Sequence, residues 1–249
     1  MLITPIHTKK VILGDNLEDI LKTSLPSLEE NSVVVITSKI VSITQGNVVK
    51  IDDGKDKETL VKQEADKYIY DEYMYSTHKT YLTITKNILT PSAGIDESNG
   101  NGYYILWPKD PMKTAEKLWR FLQKTYHIKK VGVIISDSSF IPLRTGSVSI
   151  GLAWCGFAPI KNYIGTPDVF GKPLQYTTTS FVDGLSVAAG LAMGEGDQQQ
   201  PIAVITYVPD LTFVAKPPTK DEQDAMRYPL EKDMFGPLIR AASWEKGKK

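Results

Sequence analysis

Two runs without a polar side chain, Val33-Val34-Val35-Ile36 and Val131-Gly132-Val133-Ile134-Ile135, constrain this chain more than any other feature. A strand with one wet face alternates apolar and polar residues, whereas these runs do not alternate and are rich in β-branched residues. They predict strands covered on both faces, and Ile202-Ala203-Val204-Ile205 is a shorter run of the same kind. Tyr81 to Thr85 and Tyr103 to Trp107 are weaker strand candidates.

The cover must come from helices. Leu17, Ile20, Leu21 and Leu25 recur at helical spacing, and Asp15 with Glu18 three residues on resembles a capping box. A second helix is expected over Lys57 to Tyr73. Pro111 suits a first helical position, and Met112, Ala115, Leu118, Trp119 and Leu122 share one face of a third helix. A fourth, rich in small residues, is expected over Gly184 to Met193, and a short one near Asp233 to Ala242. Interleaved strands and helices make the class α/β or α+β, with mixed sheets. At 249 residues the chain could form one large domain or two smaller ones. The tail beyond Val208 contains Pro217-Pro218 and many charges, so the expected division is 1–208 as the main domain and 209–249 as an extension.

Composition excludes several function classes. Lys plus Arg equals Asp plus Glu at 29 each, which removes the electrostatic reason to expect nucleic-acid binding. Cys155 is the only cysteine, so no intrachain disulfide or thiolate cluster is possible and a reducing, cytoplasmic setting is the expectation. The N-terminal MLITPIHTKK lacks a signal peptide's apolar stretch, and no apolar run approaches a membrane span. There is no phosphate-binding G-x-x-x-x-G-K-[ST] loop, no dinucleotide G-x-G-x-x-G and no H-E-x-x-H. His7, His78 and His127 are scattered in polar contexts and read as surface residues, not as a zinc site.

Three acids have site-like settings: Asp96 in AGIDESN, Asp137 at the end of IISD, and Glu195 in MGEGD. Each lies at the edge of an apolar element, beside glycine or small hydroxyl residues that let a ligand approach the backbone. Asp96 belongs to a polar, glycine-rich stretch, Thr90 to Gly102, long enough to read as a functional loop, and Asp137 opens another loop that runs to Gly146. A buried carboxylate needs a partner, and with few cations nearby a magnesium ion, which prefers oxygen ligands, is one. Three acids could hold two ions that bridge a triphosphate. Each acid taken singly also suits a structural role: Asp137 as a turn cap, Asp96 in an Asx turn, Glu195 as a solvated residue past a helix.

The segments VVVITSKIVS, AGIDESN, VGVIISDS and AGLAMGEGD, in this order and spacing, resemble the coenzyme F420-0:L-glutamate ligase family over about Leu2 to Val208. The resemblance implies an unusual α/β fold, a homodimer, and γ-linked addition of L-glutamate to a deazaflavin precursor with GTP and two divalent ions, magnesium or manganese. It implies that Asp96, Asp137, Ser138 and Glu195 contact metal, Ser138 standing where the family usually has threonine. Ser38, Lys39, Asn99 and the stretch Met193, Gly194, Gly196, Asp197 and Gln198 are implied to contact the nucleotide. Lys39 at the end of a buried strand otherwise lacks an evident partner, which a phosphate would supply. Arg144 in PLRTG is the candidate for holding a substrate carboxylate or phosphate, its other reading being a solvated loop arginine.

Two cations common in the family are replaced here by Ile43 and Ile141. SAGIDESNG, PLRTG and MGEGDQQQPIAVI look more like a bacterial branch proposed to glutamylate folate, so a folate-type acceptor, and ATP in place of GTP, stay open. A regulatory homologue that binds nucleotide without turnover, and an interaction protein with incidental loops, are the alternatives.

Overall fold

The computed structural model describes residues 1–51 and 54–248. Along the chain the first elements are β1 (Leu2–Ile6), α1 (Leu17–Ser24), β2 (Ser32–Thr37), α2 (Ser38–Thr44) and β3 (Val48–Lys50). A middle group follows: α3 (Lys57–Glu64), β4 (Lys67–Ile69), α4 (Glu72–His78), β5 (Leu82–Thr85), β6 (Ile88–Pro91), a 3-10 turn at Ser92–Gly94, and β7 (Tyr103–Ile105). Next come α5 (Pro111–Tyr126), β8 (Val131–Phe140), β9 (Ser147–Cys155), β10 (Ile160–Asn162), β11 (Thr178–Ser180), α6 (Phe181–Met193) and β12 (Ile202–Thr206). The chain ends with α7 (Lys220–Met226), α8 (Gly236–Ala241) and β13 (Glu245–Lys246).

The three apolar runs are the centre of one five-stranded sheet, ordered β1-β12-β2-β8-β9. Strands β2 and β8 are parallel and the other pairings antiparallel. Alternation explains why these strands carry no polar face. Val34, Ile36, Val133 and Ile135 pack under α1, α2 and α5, while Val33, Val35 and Ile134 pack under α6. The sheet is therefore the middle layer of a helix–sheet–helix sandwich. A smaller lobe, built from the middle group, has its own core around Leu60, Val61, Tyr68, Tyr81 and Ile95. Its four-stranded sheet runs β13-β4-β5-β6.

The mixed α/β class and most elements match the sequence reading, and four details differ. The cap of α1 is Asn16, whose side chain accepts from the Glu18 and Asp19 amides, while Asp15 instead accepts from Ile12 and pairs with Lys9. The helix expected over Lys57 to Tyr73 stops at Glu64, because Tyr68 is buried on β4 and packs edge-on against Tyr81; a new helix starts after Asp71. The loop expected from Asp137 begins as strand, since β8 continues to Phe140 paired with β9. The charged tail carries an additional helix, α7, which starts at a capping box of Thr219 with Glu222. That tail returns to the body, with β13 pairing β4 and Phe213 bridging Phe157. Cys155 is buried, and the three histidines are exposed. Among the described residues no helix is long and apolar enough to cross a membrane.

Candidate functional site

The parallel register of β2 and β8 ends on Thr37 opposite Ser136, so the next residues, Ser38 and Asp137, emerge side by side. The Ser38 hydroxyl donates to Asp137 Oδ1 at 2.8 Å, and the Trp107 indole N–H donates to Oδ2. Asp137 is half-buried and faces only neutral donors. Burial pushes its carboxyl up to about 6 against the lowering effect of these two hydrogen bonds, and the negative charge of Asp96 adds to the rise.

Asp96 is brought in by the loop between β6 and β7, through a two-way backbone bridge with Ile105. Its Oδ1 accepts the amides of Glu97 and Ser98, and its Oδ2 pairs with Lys39 at 2.6 Å. Burial opposes ionisation here, but the Lys39 ammonium and then the Ser98 amide outweigh it and hold the carboxyl below its ordinary value. Lys39 also donates to the Ser98 hydroxyl and carbonyl. The cation that looked partnerless in the sequence thus has a partner, the acid of the AGIDESN loop.

Glu195 arrives from the other face. Gly190 of α6 packs so closely on Ser149 that an added Cβ would lie 2.0 Å from its Oγ, and Ser149 is paired across the ladder with Ser138. The end of α6 is thereby held over Ser138, whose hydroxyl donates to both Glu195 oxygens at 2.9 and 3.0 Å. Gln198 accepts from the Gly196 amide at 2.8 Å and closes the turn. Asn99 donates to the Gly196 carbonyl at 3.4 Å, tying the two loops together over the strand ends.

Ser38, Lys39, Asp96, Asn99, Asp137, Ser138, Glu195, Gly196 and Gln198 are thus gathered at one end of the central sheet. The three acids do not form a single cluster. Alternation along β8 sends Asp137 toward α2 and Ser138 toward α6, so the structure presents two pairs, Asp96 with Asp137 and Ser138 with Glu195. Among the described residues no three His, Cys, Asp or Glu side chains lie close enough to hold one ion.

Other sequence candidates are placed differently. The Met193 side chain packs in the core beneath α6, and Asp197 is exposed beside the Gly196 turn. Arg144 is exposed beyond the end of the β8–β9 ladder, whose last pair, Phe140 with Ser147, is three rungs past Asp137 with Ile150, about 10 Å along the strand. Its side chain makes no ion pair or hydrogen bond with Asp96, Asp137 or Glu195. Of the two isoleucines that replace expected cations, Ile43 is buried in α2 and Ile141 is exposed at the hairpin tip. Trp107 is the site residue that sequence reasoning missed. It lies in an apolar stretch read as a weak strand, and only contact with Gly94 of the AGIDESN-containing loop marks it.

The F420-0:Gamma-glutamyl ligase family model matches residues 5–206. The chain belongs to that family. The curated relatives named coenzyme F420:L-glutamate ligase include one from Methanosarcina mazei, 29% identical over 77% of this chain and 80% of its own length. Another, from Methanothermobacter thermautotrophicus, is 31% identical over 73% of this chain and 77% of its own. A third, from Methanosarcina barkeri, is 28% identical over 90% and 92%. Membership of the F420-0:gamma-glutamyl ligase family makes the chain a ligase, an enzyme class that forms amide bonds. It also places every gathered side chain from Ser38 to Gln198 inside the matched region.

Proposed function

We propose that the chain is a γ-glutamyl ligase that joins L-glutamate to an acceptor carboxylate using a nucleoside triphosphate, with GTP or ATP as co-substrate. The observation that carries this reading is the pair of oxygen-rich half-sites at the end of the sheet, Asp96 with Asp137 and Ser138 with Glu195, linked by Asn99. Both offer oxygen ligands, which suits magnesium or manganese, and the half-buried Asp137, facing only neutral donors, gains from a hard cation. When bound, the metal supplies charge neutralisation at the transferring phosphoryl group. No protein nucleophile is needed. An acceptor carboxylate oxygen forms a bond to the γ-phosphorus as the bond to the nucleoside diphosphate breaks. The glutamate amine then attacks the acyl carbon and phosphate leaves, with the amine's proton passing to solvent. In this scheme the residues position and balance charge: Ser38 and Trp107 fix Asp137, and Lys39 fixes Asp96 beside the phosphate path.

A coenzyme F420-0-like acceptor follows from the relatives' names, and a folate-type acceptor from the apolar Ile43 and Ile141. Purified protein is expected to release phosphate and form a glutamylated product only when magnesium, glutamate, nucleotide and one of these acceptors are all present, as read by mass spectrometry. Nucleotide binding with neither acceptor extended would sink the ligase reading in favour of a regulatory homologue.

The dimer is also a proposal. Leu143 at the β8–β9 tip and Val169, Phe170 and Tyr176 in the excursion between β10 and β11 are almost wholly exposed, which an isolated protomer does not favour. Sedimentation velocity is expected to give twice the 27.7 kDa protomer mass, and the double change Leu143→Glu with Phe170→Glu to shift it to the protomer. A wild-type protein that sediments as a monomer at micromolar concentration would refute it.

A further inference from the structure

The ladder between β8 and β9 changes register once. Val133, Ile134 and Ile135 oppose Cys155, Trp154 and Ala153, but Ser136 opposes Gly151, so Leu152 is left without a partner. This is a β-bulge, and beyond it every β9 residue is shifted by one position against β8.

The shift decides what α6 meets. Ile134 packs under α6, and alternation turns Ser136 and Ser138 to the same face. Their partners across the bulged ladder are Gly151 and Ser149. An unbulged ladder would set Leu152 and Ile150 there instead, and neither fits. A Cβ on Gly151 would already lie 2.1 Å from Val182 Cγ1. A Cβ on Gly190 would lie 2.0 Å from Ser149 Oγ, so nothing larger than serine has room beneath it. These two close approaches seat α6 on β9, and both exist only because of the bulge. Glu195 follows α6 by two residues, so the same contacts set its place over Ser138.

Asp183 holds the bulge. An extra residue leaves backbone groups outside the ladder, and the Gly151 amide donates to Asp183 Oδ1 at 3.1 Å. Oδ2 accepts from the Ser180 hydroxyl at 2.8 Å, whose oxygen in turn accepts from the Asp183 amide at 3.2 Å. Ser180 is the N-cap of α6 and Asp183 its third residue, the spacing of a capping box. In a capping box the acid reaches back to the backbone of the cap. Here the carboxylate instead takes an amide 32 residues earlier, on another element.

We propose that Asp183 is a positioning residue of the ligase site: by locking the bulge it sets the register that seats α6, and so holds Glu195 against Ser138 in that metal half-site. The consequence for turnover rests on the ligase reading; the lock on the register does not.

The test compares Asp183→Asn, Asp183→Glu and Asp183→Ala in the full chain. Asparagine keeps the side-chain length and an oxygen for the Gly151 amide, whereas glutamate keeps the charge and is the usual capping-box residue but is one methylene longer. The readouts are hydrogen exchange of the Gly151 amide by NMR, affinity for manganese alone by electron paramagnetic resonance, and kcat for glutamate incorporation. Asp183→Asn is expected to stay close to wild type in each. Asp183→Glu and Asp183→Ala are expected to speed Gly151 exchange and to lower both manganese affinity and kcat about tenfold, the lower end of what losing the support of a metal ligand costs. A role in capping or charge alone predicts the reverse order, glutamate close to wild type and asparagine impaired, and that result would overturn the proposal. Variants that lower only the thermal midpoint would overturn it as well. So would a wild type that binds no manganese, since there would be no half-site to position. If wild type forms no product while exchange and manganese affinity follow the expected order, the ligase reading falls and Asp183 keeps its positioning role.

Discussion

Asp137→Asn is expected to abolish nearly all glutamate incorporation, by about 10²–10³-fold, while making the metal-free protein more stable at pH 7. The two effects have one cause. Burial lifts the folded carboxyl from 3.8 to about 6, so protonation favours the folded state. That contribution is full below pH 3.8 and is lost as pH rises through 6, above which the ionised group opposes folding by roughly 3 kcal/mol. Asparagine has the same shape and no charge. Its oxygen can accept from the Trp107 indole while its amide donates to the Ser38 hydroxyl, which rotates to receive it. Thermal unfolding in a chelator should therefore show the variant a few degrees above wild type at pH 7, with the gap closing by pH 4. Adding magnesium should stabilise wild type and leave the variant unmoved. Equal magnesium stabilisation of both proteins would remove Asp137 from the metal half-site.

Gly94→Ala is expected to cost about 3 kcal/mol or more of stability and to reduce activity, although residue 94 touches neither carboxylate. Gly94 has φ of +73°, in the left-handed region, and a Cβ there would lie 2.1 Å from the Trp107 ring. The indole would have to move, and its N–H is one of the two donors to Asp137. Trp107→Phe separates the contributions, since it relieves nothing at Gly94 but deletes the donor. Measured by glutamate incorporation and thermal unfolding, Gly94→Ala should lose both, while Trp107→Phe loses activity out of proportion to stability. Full activity in Gly94→Ala would show that the Trp107 position does not matter to the site.

The layered fold was legible because its signal is local. The runs at Val33 and Val131 have no alternation, and the structure shows both faces covered. The expected helix over Lys57 to Tyr73 failed because β4 is stabilised by contacts that no window can contain: pairing with β5 and the packing of Tyr68 against Tyr81. The same distinction holds at the site. Asp96, Asp137 and Glu195 stand out by their neighbours in sequence. Their division into two pairs does not, because it depends on which face of β8 each meets after the bulge at Ile135 and Ser136. Trp107 was invisible for a further reason. A tryptophan in an apolar stretch reads as core until its N–H is traced to a partner, here Asp137.

The strand order β1-β12-β2 has a consequence for how the chain comes to be folded. Strands β1 and β2 are separated in space by β12, whose residues 202–206 are made long after both. Until then the first two strands have no bond to each other, and β2 exposes a bare edge along its apolar run Val33 to Ile36. The parallel partner of β2 comes about 100 residues later, a distant closure that is slow to form. The sheet therefore cannot be completed while the ribosome is still making β12, whereas much of the smaller lobe lies in residues already released. Assembly of Ser38, Asp96, Asp137 and Glu195 is thus a late event, and a nascent chain stalled before residue 202 presents an aggregation-prone edge instead of an incomplete enzyme.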